Sequence, residues 1–101
     1  MNYLDDDNFY ELINKGLHLV VFYTDWCGGC TLMNPTLNDI SDKIDVIKVN
    51  DDKYKDLSKY YEINTLPYLL FFKDGKLIER FPGFHTRENT IKKLDEILKN
   101  P

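Results

Sequence analysis

Apolar runs rich in β-branched and aromatic residues alternate along the chain with segments whose apolar positions recur at helical spacing. The run Leu17 to Thr24 predicts a strand buried on both faces, as in a central parallel strand. Asp45 to Asn50 predicts a second strand. Pro67 to Lys73 and Lys76 to Phe81 predict two antiparallel strands, because the Asp74-Gly75 pair between them is a strong hairpin signal.

Helical spacing marks four further segments. Gly16 is expected to end the first helix, and Pro35 lies within the second helix and should kink it. Thr86 can cap the last helix, whose apolar stripe consists of Ile91, Leu94, Ile97 and Leu98. The first three predicted helices are Leu4 to Lys15, Cys30 to Lys43, and Asp52 to Tyr61.

The predicted order is helix, strand, helix, strand, helix, strand, strand, helix, with a short edge strand at Asn2 to Leu4. Alternating strands and helices imply parallel crossovers, and the hairpin adds antiparallel pairs. We therefore expect an α/β fold with a mixed central sheet of four to five strands and helices on both faces. A length of 101 residues is typical of one compact core, so we expect a single domain over residues 1–101.

The charge balance narrows the classes of partner. The net charge is −4 and the pI is about 5.0, so the chain lacks the cationic surface that phosphate backbones require, and we expect no nucleic acid partner. The apolar run Leu17 to Tyr23 is too short to span a bilayer. Met1 to Asp7 has neither the basic start nor the apolar stretch of a secretion signal, which predicts a cytoplasmic location and no membrane association.

The chain has two cysteines, Cys27 and Cys30, where a predicted buried strand gives way to a helix. A bridge between them would close a very small loop and stabilise the fold little, so chemistry explains the pair better than structure. Unpaired N–H groups and the helix dipole favour a thiolate at a helix start, and the pKa of Cys27 is expected to fall below the roughly 8.5 of a free cysteine. We predict that Cys27 is the attacking nucleophile and that Cys30 is the resolving thiol.

Two other interpretations of the cysteine pair have less support. A structural zinc site normally takes four ligands, and the other soft ligands are His18 in a predicted buried strand and His85 after a loop. An inert buried pair is disfavoured because Trp26, Gly28 and Gly29 indicate an exposed turn. We therefore expect no metal site.

Motifs spread along the chain match one known family. They are Val20 to Cys30 with its Trp26-Cys27-Gly28-Gly29-Cys30 ending, Pro35, Tyr61 to Lys76 with its Thr65-Leu66-Pro67 segment, and Gly83. A Cys-x-x-Cys motif alone is only moderately specific, but the leading tryptophan, the Thr-Leu-Pro segment and the order of elements strengthen the match. Over nearly its whole length the chain resembles the thioredoxin family.

The resemblance implies a thioredoxin fold and roles for residues outside the cysteine pair. Pro67 is expected to follow a cis peptide bond that lies against the cysteines. The backbone of Leu66 would pair with a substrate chain as an added strand. Gly28 and Gly29 would support the active-site turn, and a shallow apolar surface for partner proteins would be formed by Trp26, Leu66, Pro67 and Gly83.

Two positions depart from the pattern of the family. Gly29 stands where proline is usual, and a more flexible turn there predicts a less reducing potential. Val21 stands where the family usually carries a buried aspartate that assists proton transfer from the resolving thiol. Lys48 matches a lysine that accompanies the aspartate, but without that partner we expect an ordinary solvated lysine at a strand end. Asp25 is expected to be a solvated turn residue.

The resemblance predicts a thiol–disulfide oxidoreductase that reduces protein disulfides through the reversible Cys27–Cys30 dithiol and disulfide. It would bind no cofactor, would receive electrons from NADPH through a thioredoxin reductase-like flavoprotein, and would act as a monomer on disulfide-containing proteins. Two alternatives stay open. One is an oxidase or isomerase, if the Gly28-Gly29 turn raises the potential. The other is a thioredoxin-fold docking subunit without catalysis that uses the surface around Trp26.

Overall fold

The computed structural model describes residues 1–99 and contains one mixed sheet with helices packed on both of its faces. The predicted α/β class is confirmed, and the sheet has five strands. In chain order the elements are β1 (Asn2–Tyr3), α1 (Phe9–Leu12), β2 (Leu17–Tyr23), α2 (Gly28–Ile40), β3 (Asp45–Asn50), α3 (Lys55–Tyr60), β4 (Tyr68–Lys73), β5 (Lys76–Pro82) and α4 (Arg87–Lys99). The strands lie side by side in the order β1–β3–β2–β4–β5.

Strand β2 is the central strand of the sheet. It runs parallel to β3 and antiparallel to β4, so the prediction of a parallel centre holds on one side only. β1 pairs with β3 in parallel and β5 pairs with β4 in antiparallel fashion, which makes β1 and β5 the edges. In this register Val21 lies opposite Lys48 of β3 and Leu69 of β4.

Alternating side chains along β2 divide the core into two layers. Val20 and Phe22 pack in a buried cluster with residues from α1 and from the segment around α3. Leu19 and Val21 pack in a second buried cluster with residues from α2 and α4. Because both faces of β2 are covered, the strand is a continuous apolar run in the sequence.

The first helix is shorter than the predicted segment Leu4 to Lys15, and only Phe9–Leu12 is helical. Before it, the amide of Leu4 donates to a carbonyl of β3 at 2.8 Å and so extends the pairing of β1. Gly16 does not end the helix, contrary to the prediction. It lies in the turn into β2 with φ +82°, and its amide donates to the carboxylate of Asp74 at 2.7 Å.

Helix α2 begins two residues before the predicted start at Cys30, because Cys27 occupies the N-cap position. Pro35 lies inside the helix, as predicted. The helix ends at Ile40 and not at Lys43, and the three residues that follow form turns.

Helix α3 begins at Lys55 and not at Asp52. The side-chain oxygen of Asn50 accepts the backbone amides of Asp52 and Lys53 at 2.9 and 3.3 Å, which holds this segment in a turn. Four strand boundaries differ from the prediction by one residue. β1 ends at Tyr3 and not at Leu4, and β2 ends at Tyr23 and not at Thr24. β4 begins at Tyr68 and not at Pro67, and β5 ends at Pro82 and not at Phe81.

Helix α4 is capped as predicted, since the hydroxyl of Thr86 accepts the amide of Asn89 at 3.2 Å. Leu94 and Ile97 of the predicted stripe are buried, whereas Leu98 is 42% exposed and lies outside it. Within residues 1–99, no helix has the length and apolar character that crossing a bilayer requires.

Candidate active site

Cys27 and Cys30 form a disulfide at the junction of β2 and α2, with their Cα atoms 5.3 Å apart. Cys27 has an extended backbone, and its sulfur accepts the backbone amide of Cys30 at 3.2 Å. Cys27 is half-buried, whereas Cys30 is 3% exposed. The pair therefore consists of a partly exposed cysteine at a helix start and a buried cysteine a turn further on. A thiolate at the first position would gain the hydrogen bond and the helix dipole.

The loop before β4 brings Pro67 against the cysteine turn. The Leu66–Pro67 peptide bond is cis, and Pro67 is buried. A Cβ placed on Gly29 would lie 3.4 Å from Cδ of Pro67. The amide of Gly83 donates to the carbonyl of Pro67 at 2.8 Å, which ties the loop after β5 to the same place. Gly83 has φ +87°, a conformation that favours glycine.

A groove of about 540 Å³ lies beside Cys27, between residues 26–28 and residues 63–66. Trp26 is 74% exposed at this groove, and its indole N–H donates to the Asp52 carboxylate at 3.0 Å. Of the four residues predicted to bind partners, Trp26 and Leu66 line the groove. Pro67 and Gly83 lie outside its walls and are joined to it through the loop before β4.

Phe84 is an exposed aromatic residue that the sequence prediction did not include. It is 49% exposed, and its Cβ would lie 3.7 Å from a Cβ on Gly29. The cysteine turn therefore has two exposed aromatic side chains near it, Trp26 and Phe84. The sequence offered one signal for this residue, since an aromatic side chain directly follows Gly83, which was predicted to bind partners.

Lys48 is buried and not solvated, so that prediction was wrong: its exposed fraction is 2%. Its ammonium donates to the side-chain oxygen of Asn34 at 2.6 Å and lies 4.4 and 5.6 Å from the ring centres of Tyr23 and Tyr3. These contacts replace the water that usually keeps a lysine at the surface. Burial lowers the pKa of Lys48, and the negative charge of Asp25 acts in the opposite direction.

Val21 is 1% exposed and packs among the apolar side chains between the sheet and α2. The position at which the family usually buries a carboxylate is therefore apolar here. The prediction also omitted Asn34 and Asp52. Asn34 contacts Lys48, which is 14 residues away in the sequence, and Asp52 contacts Trp26, which is 26 residues away. No local pattern indicates either contact.

His18 and His85 each contact other side chains of the fold. The ring nitrogens of His18 lie 2.7 Å from the carboxylate of Asp45 and 2.6 Å from the carbonyl of Lys15. His85 stacks on Phe81 with ring centres 3.4 Å apart. In the part of the chain that the structure describes, no group of three or more His, Cys, Asp or Glu side chains is arranged to hold a metal ion.

Comparison with known proteins matches this architecture to one family. The sequence model of thioredoxin matches residues 1–96. Thioredoxin Y1, chloroplastic, of Arabidopsis thaliana is 40% identical over 99 residues, which cover 92% of this chain and 58% of that protein. The thioredoxin of Staphylococcus haemolyticus is 34% identical over 97 residues, which cover 92% of this chain and 93% of that protein. The chain thus spans little more than half of the Arabidopsis relative and nearly all of the staphylococcal one.

A solved structure shows the same fold. A mutant thioredoxin from Halobacterium salinarum NRC-1 superposes with a TM-score of 0.84 over 94% of this chain and 88% of that chain, at 23% identity. The cysteine pair lies at disulfide distance, where the resemblance placed it. With a family match over residues 1–96 and a relative 34% identical over nearly its full length, the chain belongs to the thioredoxin family.

Proposed function

We propose that the chain is a protein-disulfide reductase whose Cys27–Cys30 pair cycles between dithiol and disulfide. The observation that carries this proposal is that Cys27 is half-buried beside an open groove and that its sulfur accepts the amide of Cys30 at the N-terminus of α2. The amide and the helix dipole both favour negative charge on that sulfur. Cys27 is therefore the sulfur that becomes a nucleophile first.

The reaction consists of two exchanges. In the reduced protein the Cys27 thiolate attacks one sulfur of a partner disulfide, and the other partner sulfur departs with the electron pair. Cys30 then loses its proton and attacks Cys27, which restores the Cys27–Cys30 bond and releases the second partner sulfur. The two partner sulfurs end as thiols, and the chain ends as the disulfide. Because Cys30 is 3% exposed, it is shielded from other disulfides and reserved for this second attack.

The groove beside Cys27 supports the binding of extended protein segments. Trp26 offers an exposed aromatic face, and Leu66 lies on the opposite wall just before β4, where its backbone is suited to pair with an added strand. We assign partner binding to these two residues together with Pro67 and Gly83. Gly28 is exposed at the turn and has no atom within 4 Å of an added Cβ, which supports close approach of a partner chain.

The Cys27–Cys30 dithiol itself carries the two electrons to the partner disulfide, so the chemistry needs no prosthetic group. Thioredoxin family proteins act on disulfide substrates, and thioredoxin reductases are their usual partners. We propose that a flavoprotein of this type passes electrons from NADPH to the Cys27–Cys30 disulfide.

The test is NADPH oxidation in the presence of a thioredoxin reductase and a protein disulfide. The native chain should support turnover, and Cys27→Ser should support none. Cys30→Ser should hold the partner as a mixed disulfide on Cys27, while Cys27→Ser serves as the matched control that traps nothing. If the double variant Cys27→Ser, Cys30→Ser kept full activity in a native assay, the docking subunit would replace the reductase as the function.

Three expectations stay predictions. They are one domain over residues 1–101, a monomer in solution, and a cytoplasmic location. The Arabidopsis relative is named chloroplastic, whereas the name of the staphylococcal relative gives no compartment. Light scattering tests the oligomeric state, and fractionation of the source cells tests the location.

A further inference from the structure

Cys30 borders a cleft of about 150 Å³ that is separate from the groove beside Cys27. Polar and charged side chains from β1, β2, β3 and α2 surround it. Among them are Tyr3, Tyr23, Asp25, Asn34 and Lys48. The accessible sulfur thus faces the partner groove, and the shielded sulfur borders a polar cleft that contains a buried ammonium.

Contacts from three elements fix Lys48 in this cleft. Asn34 of α2 accepts its ammonium at 2.6 Å, and the rings of Tyr23 on β2 and Tyr3 on β1 lie within 4.4 and 5.6 Å. Asp25, in the turn after β2, is exposed and supplies the opposite charge that favours the ammonium form. With 2% of its surface exposed, the side chain does not extend into solvent.

The resolving step requires a thiolate on a sulfur whose surroundings disfavour charge. Burial in apolar surroundings disfavours the thiolate form, and an opposite charge nearby restores it. Val21, which lies opposite Lys48 in the sheet, is apolar. Within residues 1–99, Asp25 is the one carboxylate that lines the cleft. Thr24 also lines it, and its buried hydroxyl has no hydrogen-bond partner among the described residues, so the cleft has unused hydrogen-bonding capacity.

We propose that Lys48, positioned by Asn34, stabilises the Cys30 thiolate by its charge in the resolving step, with solvent and not a buried carboxylate taking the proton. This inference rests on the proposed function. The Cys30 S–H bond breaks, and its proton leaves through the cleft to solvent. The sulfur electron pair forms the bond to Cys27 while the bond between Cys27 and the partner sulfur breaks. The departing sulfur takes that electron pair and then a proton from solvent, and the ammonium stays charged throughout.

A single-turnover reaction of the reduced chain with dithiobis(nitrobenzoate) separates the two attacks. Attack by Cys27 releases the first nitrobenzoate thiolate in a phase whose rate rises with reagent concentration. Attack by Cys30 releases the second in a phase that is independent of reagent concentration. The pH dependence of the second phase reports deprotonation of Cys30, and a purely structural role for Lys48 would not move it.

Two variants test the role of Lys48. Lys48→Met removes the positive charge, and Asn34→Ala removes the side-chain oxygen that holds the ammonium in place. In Lys48→Met the second phase should be at least about threefold slower at neutral pH, and its half-maximal pH should move upward, because the opposite charge is lost. Asn34→Ala should shift the half-maximal pH in the same direction by less. Asn38→Ala is the matched control on the exposed face of the same helix and should behave as the native chain does.

The outcomes separate this inference from the proposed function. An absent first phase in the native chain would refute the assignment of Cys27 as the attacking thiol. A normal first phase with an unmoved pH dependence of the second phase in Lys48→Met and Asn34→Ala would overturn the role of Lys48. Should Lys48→Met fail to fold, the comparison of Asn34→Ala with Asn38→Ala decides the question.

Discussion

Gly29 faces Pro67 at the cysteine turn, and a Cβ added to Gly29 would lie 3.4 Å from Cδ of Pro67. That distance is an ordinary van der Waals contact, so lack of space does not require glycine here. Gly29 is the second residue of α2, where the backbone amide has no acceptor within the helix and where proline is tolerated. Its backbone is also outside the left-handed region. Flexibility of the turn is therefore what this glycine contributes.

Gly29→Pro should make the centre more reducing. Proline restricts the turn in the dithiol, so less conformational entropy is lost when the disulfide closes, and the disulfide is stabilised. The expected change is about 10–20 mV towards a more negative potential. Equilibration with glutathione measures it, with Gly28→Ala, whose Cβ meets nothing within 4 Å, as the control expected to shift less. Equal potentials in Gly29→Pro and the native chain would contradict the prediction.

Val21→Asp should lower stability. Val21 is 1% exposed in an apolar cluster, so a carboxylate there is desolvated and is protonated more readily in the folded state than in the unfolded state. The unfolded chain then binds fewer protons, and the loss of stability grows as pH rises from about 4 towards neutrality. Urea midpoints at several pH values measure this change. Val21→Asn, which cannot ionise, should show a loss that does not depend on pH. A midpoint for Val21→Asp equal to or above the native value would refute the prediction.

Lys48→Met should keep or raise stability at neutral pH, since a buried charge replaced by an apolar side chain of similar size is often neutral or stabilising. Burial lowers the pKa of Lys48 from its ordinary value of 10.5. At pH values between the lowered pKa of Lys48 in the folded protein and its ordinary pKa in the unfolded chain, the unfolded chain binds more protons than the folded chain. The native protein therefore gains stability relative to Lys48→Met as the pH rises through this range. Denaturation in alkaline buffers tests this, with the exposed Lys43→Met as the control. A difference between native protein and Lys48→Met that stays constant over alkaline pH would contradict the lowered pKa.

Asp52→Ala should lower activity on protein disulfides without a comparable loss of stability. Asp52 is exposed, and its carboxylate accepts the indole N–H of Trp26 at 3.0 Å, which orients the ring at the groove. Loss of a single charge-assisted hydrogen bond at an exposed site corresponds to a fall in kcat/KM of roughly 2- to 10-fold. Because Trp26 is the single tryptophan, its fluorescence anisotropy reports the freed ring directly. Asp56→Ala on α3 is the exposed control, and equal anisotropy in Asp52→Ala and the native chain would argue against an orienting role.

The strands were predicted more closely than the helices for a physical reason. β2 and β3 are buried on both faces, so their apolar runs mark their ends to within one residue. Helices α1 and α3 are short, and groups outside them decide where they begin. The amide of Leu4 pairs with β3, and the side chain of Asn50 accepts the amides that precede α3.

The sequence by itself determined where the cysteine pair lies in the fold. Cys27, Cys30 and Trp26 lie within five consecutive residues, and local pattern was sufficient to predict the strand-to-helix junction there, although α2 begins at Gly28 and not at the predicted Cys30. Only the tertiary structure decided that Lys48 is buried against Asn34 and that Phe84 lies beside Gly29. Those contacts join segments distant in the chain, and their strength comes from burial and water exclusion, which the periodicity of a single segment does not encode.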